Sequence, residues 1–227
     1  LLADIHANVP ALTAVLEAVG RVDLVLNAGD IVDYGPWPSE IISMVKKLGG
    51  VTVMGNHDRD CALGTSVGYN PFARISCQWT HSRLSAAERA HILGLPRSQE
   101  VVVEGVRIHI CHGSPRDLLD EYVTPDYPAK VLEGFIAATG SNVLVLGHTH
   151  LPLLRSFGLN RHVINPGSVG QPRDGDPRAS YAMLSVDDSS ILELRHARTT
   201  YDVSQVADEI IKAGLPAFLA ERLYYGL

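Results

Sequence analysis

The sequence predicts a layered α/β domain, on three observations. Short apolar runs at 1–3, 23–30 and 51–54 alternate with helical periodicities. The order strand, helix, strand, helix, strand implies right-handed crossovers and parallel neighbours. Each run also stops at a cluster of polar residues, and in open sheets ligands gather outside the carboxyl ends of the strands, so these clusters are expected to face one rim.

Leu1 to Ala3 reads as the end of a strand. Buried strands usually run about 5 to 6 residues, so more chain is expected ahead of Leu1. "NVPALTAVLEAVG" follows with Leu12, Val15, Leu16 and Val19 at helical spacing, Asn8 as cap, Pro10 in the first turn and Gly20 at the end. "DLVLNAGD" (23–30) is a second strand, "SEIISMVKKLGG" a helix closed by Gly49, and "VTVM" (51–54) a third strand.

Residues 59–98 read as a helical insertion in a single domain of 1–227, with helices in "PFARISCQWTHSRL" and "SAAERAHILGL". "EVVVEGVRIHICHG" reads as a hairpin turning near Gly105, and "NVLVLGHTH" as an apolar strand that ends in polar residues. "LPLLRSF", "RHVINPG", "SYAMLSV" and "SILELRHA" read as further strands, expected to form a largely antiparallel sheet. The tail "DVSQVADEIIKAGLP" is a helix with Asp202 and Gln205 placed like a capping box and Gly214 at its end.

Composition excludes several functions. A chain of 227 residues buries roughly 70 to 75% of its unfolded surface and needs no staples. A net charge of -6 with scattered Lys and Arg gives no basic stripe for a nucleic-acid backbone, so long nucleic acid is not an expected partner. No apolar run approaches bilayer length, so no membrane partner is expected either. Cys61, Cys77 and Cys111 lack metal or redox spacing and read as buried thiols of a reducing compartment, which gives a cytoplasmic expectation.

"VMGNHDRD" (53–60) puts Asn56, His57 and Asp58 directly after an apolar run and a glycine. Alone, such residues cap turns. They recur, however, as Asp4-x-His6, Gly29-Asp30-x-x-Asp33, Gly55-Asn56-His57-Asp58, His112-Gly113 and Gly147-His148-x-His150, each at a predicted strand end. Imidazole and carboxylate with one carboxamide suit borderline divalent metals, whereas thiolates would have indicated structural zinc. Residues two apart in extended chain project to one side, so Asp4 with His6 and His148 with His150 can each lean into one cleft. Two dications about 3.5 to 4 Å apart need a bridging anion, and Asp30 is the candidate.

The order "DIH", "GDIVDYG", "GNHD", "HG", "GHTH" resembles the five blocks of the calcineurin-like metallophosphoesterases, from Asp4 to His150. "NPGSVGQPRDGDPRASYAML" (165–184) and, more loosely, "YNPFARISCQWTHSRL" are similar to the small bacterial phosphodiesterase branch. The resemblance implies a four-layer α/β/β/α sandwich with one dinuclear site. It implies one metal held by Asp4, His6, Asp30 and His150, and a second by Asp30, Asn56, His112 and His148. It further implies His57 as the catalytic histidine, Asp58 as the group that orients it, and Asp33 fixing a ligand without touching metal.

The cleft charge points to a phosphoester on separate grounds. Two dications bring about +4, Asp4 and Asp30 about -2 and a bridging hydroxide about -1, which leaves about +1 for an anion. Such a hydroxide attacks phosphorus near neutral pH, and His57, kept protonated by Asp58, gives the leaving alkoxide its proton.

The other histidines, His91, His109, His162 and His196, show no partner spacing and read as structural, and His81 reads as a surface residue. Tyr34, Trp37 and Trp79 read first as packing and second as a pocket wall. Arg173 is a substrate candidate in the loop after "NPGSVG", together with Ser168, while Arg178 reads mainly as a solvated charge.

Two departures from the family pattern stand out. Ala7 occupies a position often held by glycine and should only narrow the turn. Tyr34 and Met54 stand where protein phosphatases of the superfamily, or GNHD motifs, carry arginine, which weakens a clamp for dianionic monoesters. The expected function is metal-dependent hydrolysis of small phosphodiesters, nucleotidic ones among the candidates, with Mn first and Fe, Zn, Ni or Co also admitted. Phosphomonoesterase or protein Ser/Thr phosphatase activity is the first alternative. The second is a metal-binding scaffold of the same fold without catalysis. A homo-oligomer is compatible with either reading.

Overall fold

The computed structural model describes residues 1–227. Asn8 opens helix α1 (Val9–Val19) by accepting from the Ala11 N–H, which satisfies a donor that a helix start leaves bare. Strand β1 (Leu26–Asn27) follows, then α2 (Pro38–Leu48) and β2 (Val51–Thr52), which pairs with β1 in parallel. Regular pairing in these strands is shorter than the apolar runs, because the backbone turns as soon as the polar clusters begin. Helix α3 (Asn56–Leu63) starts directly on the "NHD" triplet, and α4 (Pro71–Arg83) and α5 (Ala86–Leu93) complete a helical group.

The hairpin of β3 (Ser98–Val103) and β4 (Val106–Cys111) turns at Glu104 and Gly105. Next comes α6 (Ala129–Thr139), a helix for which the sequence reading had no element, and then β5 (Val143–Val145), β6 (Leu153–Ser156) and β7 (His162–Asn165). Because α6 carries the chain back across the sheet, β4, β5 and β7 are parallel neighbours in the order β3-β4-β5-β7-β6. Of the four strands expected to be antiparallel, β6 with β7 and a second pair further on do pair so, but in separate sheets, and β7 also runs parallel to β5, which makes this sheet mixed. Strands β8 (Ala179–Asp187) and β9 (Ser190–Thr199) form an antiparallel pair. Leu1 exchanges hydrogen bonds with Ala182 of β8, while Leu2 bonds Leu26 on its other side, so residues 1–3 join that pair to β1 and β2.

Alternating faces then define the layers. Ala3, Leu26, Ala28 and Val53 meet Ile108, Ile110, Val143, Val145 and Ile164 between the two sheets. The outer face of the first sheet is covered by Leu12, Val15, Ile41 and Ile42 of α1 and α2. That of the second takes Leu132, Phe135 and Ile136 of α6 against Leu144 and Val163. Val143 and Val145 pointing inward with Leu144 outward is the period of two that places a strand between two cores. Burying each such side chain contributes about 1.5–3 kcal/mol. The result is an α/β/β/α sandwich.

Helices α7 (Val203–Lys212) and α8 (Ala217–Glu221) close over Tyr34. Trp37 and Trp79 pack in that cluster, with Trp79 Nε1 donating to Ala213 O at 3.0 Å, as the packing reading expects. The parallel run of 1–3, β1 and β2 in one sheet and of β4 and β5 in the other delivers Asp4, Asp30, Asn56, His112 and His148 to a common rim.

Candidate metal centre

The backbone at this rim is left-handed at side-chain-bearing residues. Asp4 (φ 53), His6 (48), Ala7 (50), Asp30 (52), Asp33 (76), Tyr34 (59), His148 (70) and His150 (60) all have positive φ. This conformation costs roughly 1–2 kcal/mol per residue outside glycine, and strain of this kind concentrates at functional sites. Main-chain bonds hold it: Asp4 N to Gly29 O at 2.9 Å, His6 N to Asp30 O at 3.0 Å and Gly170 N to Asp4 O at 3.0 Å. Ala7 is thus more than a narrower turn, since glycine would adopt this conformation without strain. Gly55 is required by contact, because a Cβ there would lie 2.0 Å from Asp30 Oδ1.

The candidate ligands converge in two groups. Donor atoms of Asp4, His6 and His150 lie within 4.8 Å of one another, as do those of Asp30, His112 and His148. His6, His112 and His150 engage Nδ1 with the carbonyls of Val32 (3.0 Å), Ala28 (2.7 Å) and Gln171 (2.5 Å), which turns each Nε2 inward. Nε2 of His6 and Nε2 of His150 are then 3.0 Å apart. Asp30 Oδ2 stands between the groups, 3.1 Å from His112 Nε2 and 3.7 Å from His6 Nε2. Asn56 Oδ1 is 3.1 Å from His112 Nε2.

Asp4 Oδ2, Asp30 Oδ2 and His148 Nε2 are buried without any hydrogen-bond partner. Buried lone pairs facing one another are unstable unless a cation lies among them, and oxygen and imidazole donors suit a divalent metal. The residues present fit such an ion.

Electrostatics agree. Burial pushes the Asp4 carboxyl up to about 7, and the Asp30 charge adds to this. Burial would also raise Asp30, but the neighbouring His112 and His57 outweigh it and hold Asp30 below the usual carboxylate range. His112 rises to about 9 because Asp30 outweighs burial, so a proton holds this spot when no metal does. Burial keeps His6 and His150 well below the usual imidazole range, the neutral form that ligates metal.

The partner of His57 differs from expectation. Its Nδ1 lies 2.6 Å from Asp33 Oδ2, its Nε2 is 3.3 Å from the Tyr34 hydroxyl, and its backbone N–H donates to Asp30 Oδ1 at 2.9 Å. Asp33 therefore orients His57 and not a ligand, and it is steadied by Ser76 Oγ and the Tyr34 N–H. Burial would lower the His57 pKa, but Asp30 and Asp33 outweigh it and raise it.

Asp58 does not touch the imidazole. At the third position of α3 its carboxylate accepts from Ile31 N (2.9 Å), Val32 N (3.1 Å) and Gly55 N (3.0 Å), tying the Asp30 loop to the helix start. Asp58→Ala is expected to lower unfolding stability by about 3 kcal/mol or more, since each stranded buried donor costs about 1–3 kcal/mol. Urea denaturation measures this.

Ser168 is corrected as well. It is buried, donates to Asp4 O at 2.7 Å and accepts from Gln171 N, which shapes the Asp4 loop and leaves no surface for substrate. Arg173 stands at the cleft, its guanidinium carbon 5.9 Å from the Tyr34 ring centre and Nη2 3.2 Å from Gln171 Oε1, with Nε buried and unpartnered. Arg178 pairs with Asp176, and His81 bonds Cys61 O away from the cleft.

Sequence reasoning missed two tyrosines. Tyr69 lies against the His57 ring at 4.7 Å, and Tyr122 against His148 at 3.9 Å. Neither sits at a strand end, so no spacing marked them.

Comparison with known proteins places the chain. A model of the calcineurin-like phosphoesterase superfamily domain matches residues 1–189. The uncharacterized protein MJ0912 of Methanocaldococcus jannaschii is 31% identical over 100% of this chain and 97% of its own. Phosphodiesterase YfcE of Escherichia coli K12 is 27% identical over 84% of this chain and 89% of its own. The crystal structure of a metallophosphoesterase from Sphaerobacter thermophilus superposes with a TM-score of 0.82 at 34% identity, covering 100% of this chain and 98% of that one. Agreement of sequence over so much of the chain, on a fold that gathers its strand-end donors into one cleft, settles the kinship: the chain belongs to the calcineurin-like phosphoesterase superfamily.

Proposed function

We propose that the protein hydrolyses small phosphodiesters, nucleotidic ones among them, at a site that takes two divalent ions, with Mn²⁺ the favoured activator. One observation carries the reading: two groups of inward-facing donors meet at Asp30 Oδ2, which belongs to the group with His112 and His148 and lies 3.7 Å from His6 Nε2 of the other. Asp4, His6, Asp30 and His150 would hold one ion, and Asp30, Asn56, His112 and His148 the other. When bound, such ions activate water and offset phosphate charge.

The chain's own residues do the rest. His57 has Nδ1 engaged by Asp33, so Nε2 is the nitrogen that serves substrate, donating its proton to the departing alkoxide. Arg173, the cation at the cleft without a carboxylate partner, binds a phosphate oxygen. Tyr34 and Met54 provide no second guanidinium, which favours a monoanionic diester over a dianionic monoester. The name of the 27% identical relative, a phosphodiesterase, points the same way. Cys61, Cys77 and Cys111 are free and buried, which suits a cytoplasmic setting.

The test compares bis(p-nitrophenyl) phosphate with p-nitrophenyl phosphate in the presence of Mn²⁺, with metal analysis of the same preparation. The diester kcat/KM should exceed the monoester value by at least about tenfold, or about 1.4 kcal/mol of transition-state discrimination. A monoester preference would overturn the diester reading, and hydrolysis of neither would favour a scaffold.

A further inference from the structure

Asn56 is the one carboxamide among the proposed ligands, and a carboxamide has an oxygen at one end and two N–H donors at the other. Only the oxygen serves a cation, so something must fix which end faces inward. In the structure Oδ1 faces His112 Nε2 at 3.1 Å, while Nδ2 donates to the Tyr69 hydroxyl oxygen at 2.9 Å. Burial and the charges of Asp30 and Asp60 push the Tyr69 phenol well above its ordinary range, so the hydroxyl stays protonated. Asp60 is itself buried and held by Arg59 through Nε at 2.7 Å and Nη2 at 3.1 Å, and Arg59 also forks onto Asp120.

A hydroxyl carries one proton. Accepting from Asn56 Nδ2, the phenolic oxygen turns a lone pair to the amide, which holds the NH₂ outward and the oxygen inward. Without the hydroxyl, the outer N–H loses its acceptor and the amide is free to turn over, which removes the ligand oxygen.

We infer that Tyr69 is a positioning residue that holds the Asn56 carboxamide with its oxygen toward the metal centre. The inference rests on the two-ion reading above. Tyr69 comes from the turn between α3 and α4, so that turn is coupled to the ligand set. Phenylalanine would keep the ring against His57 and lose only the hydroxyl.

The experiment titrates metal-free protein with Mn²⁺ by calorimetry and follows bound metal directly, for wild type, Tyr69→Phe, Asn56→Asp and the double variant. Tyr69→Phe should weaken one of two Mn²⁺ ions by about 10–100-fold, the range for lost outer partners of metal ligands, and leave the other within about threefold. A carboxylate has no wrong end, so in the Asn56→Asp background the same change should matter less than about threefold. Equal losses in both backgrounds would show a merely structural role and overturn the inference, as would an unchanged Tyr69→Phe titration. Wild type that takes up no second Mn²⁺ would instead defeat the two-ion reading and the inference with it.

Discussion

On the two-ion reading, Asp30→Asn is expected to leave the chain folded but to take up one Mn²⁺ or fewer where the parent should take up two, and its diester hydrolysis should fall by more than about 100-fold. The reason lies in how the two carboxylate oxygens are used. Oδ1 accepts from the His57 backbone N–H at 2.9 Å, a role an amide oxygen can inherit. Oδ2 belongs to one donor group and faces the other, 3.1 Å from His112 Nε2 and 3.7 Å from His6 Nε2. In the variant that position is taken by an NH₂ group, which repels a cation, and a flipped amide would present only a neutral oxygen while losing the bond to His57. Either way the repulsion between two dications is left without its bridging charge. Losing a bridge must exceed the roughly 10–100-fold cost of losing an outer partner of a ligand. Metal analysis after dialysis, with circular dichroism as the folding control, measures the effect. Unchanged stoichiometry would refute the bridging role.

The convergence of Asp4, Asp30, Asn56, His112 and His148 was legible because each ends an apolar run and parallel strands deliver their ends to one rim. Side-chain partnerships were less legible. "GNHD" suggested that neighbours in sequence, His57 and Asp58, were neighbours in space. Yet α3 begins at Asn56, so successive side chains diverge by about 100° around the helix. Asp58, three residues after Gly55, instead turns back to the Gly55 N–H, a capping pattern that the spacing did contain. The Asp33 to His57 pair spans two loops, and its cause is the left-handed backbone at Asp33, which no local propensity announces. Helix α6 carries its buried Leu132, Phe135 and Ile136 at helical spacing, a signal the sequence did contain, and its crossover is what makes β4 and β5 parallel. Ser168 was a substrate candidate from its place in the "NPGSVG" loop, whereas its burial beneath the Asp4 loop is a tertiary fact.

His57→Ala separates catalysis from metal binding. The contact of His57 with Asp30 runs through the backbone N–H, which alanine retains, so both metal groups should persist and Mn²⁺ stoichiometry should match the parent. What disappears is an imidazole whose Nδ1 is fixed by Asp33 at 2.6 Å and whose Nε2 is left to serve a leaving oxygen. A positioned general acid contributes about 10²–10⁴-fold. That loss should appear in full on diesters with alkyl leaving groups, which need the proton. It should shrink to about tenfold or less on p-nitrophenyl esters, whose phenolate departs unaided. Asp33→Asn should show the same leaving-group dependence in weaker form, because the ring stays but its orientation loosens. Asp58→Asn should show none, because its carboxylate binds backbone and not the imidazole. Equal losses on both ester types in His57→Ala would remove the general-acid role and leave His57 as a purely electrostatic group. An Asp58→Asn profile that tracked His57→Ala would reverse the assignment of its partner.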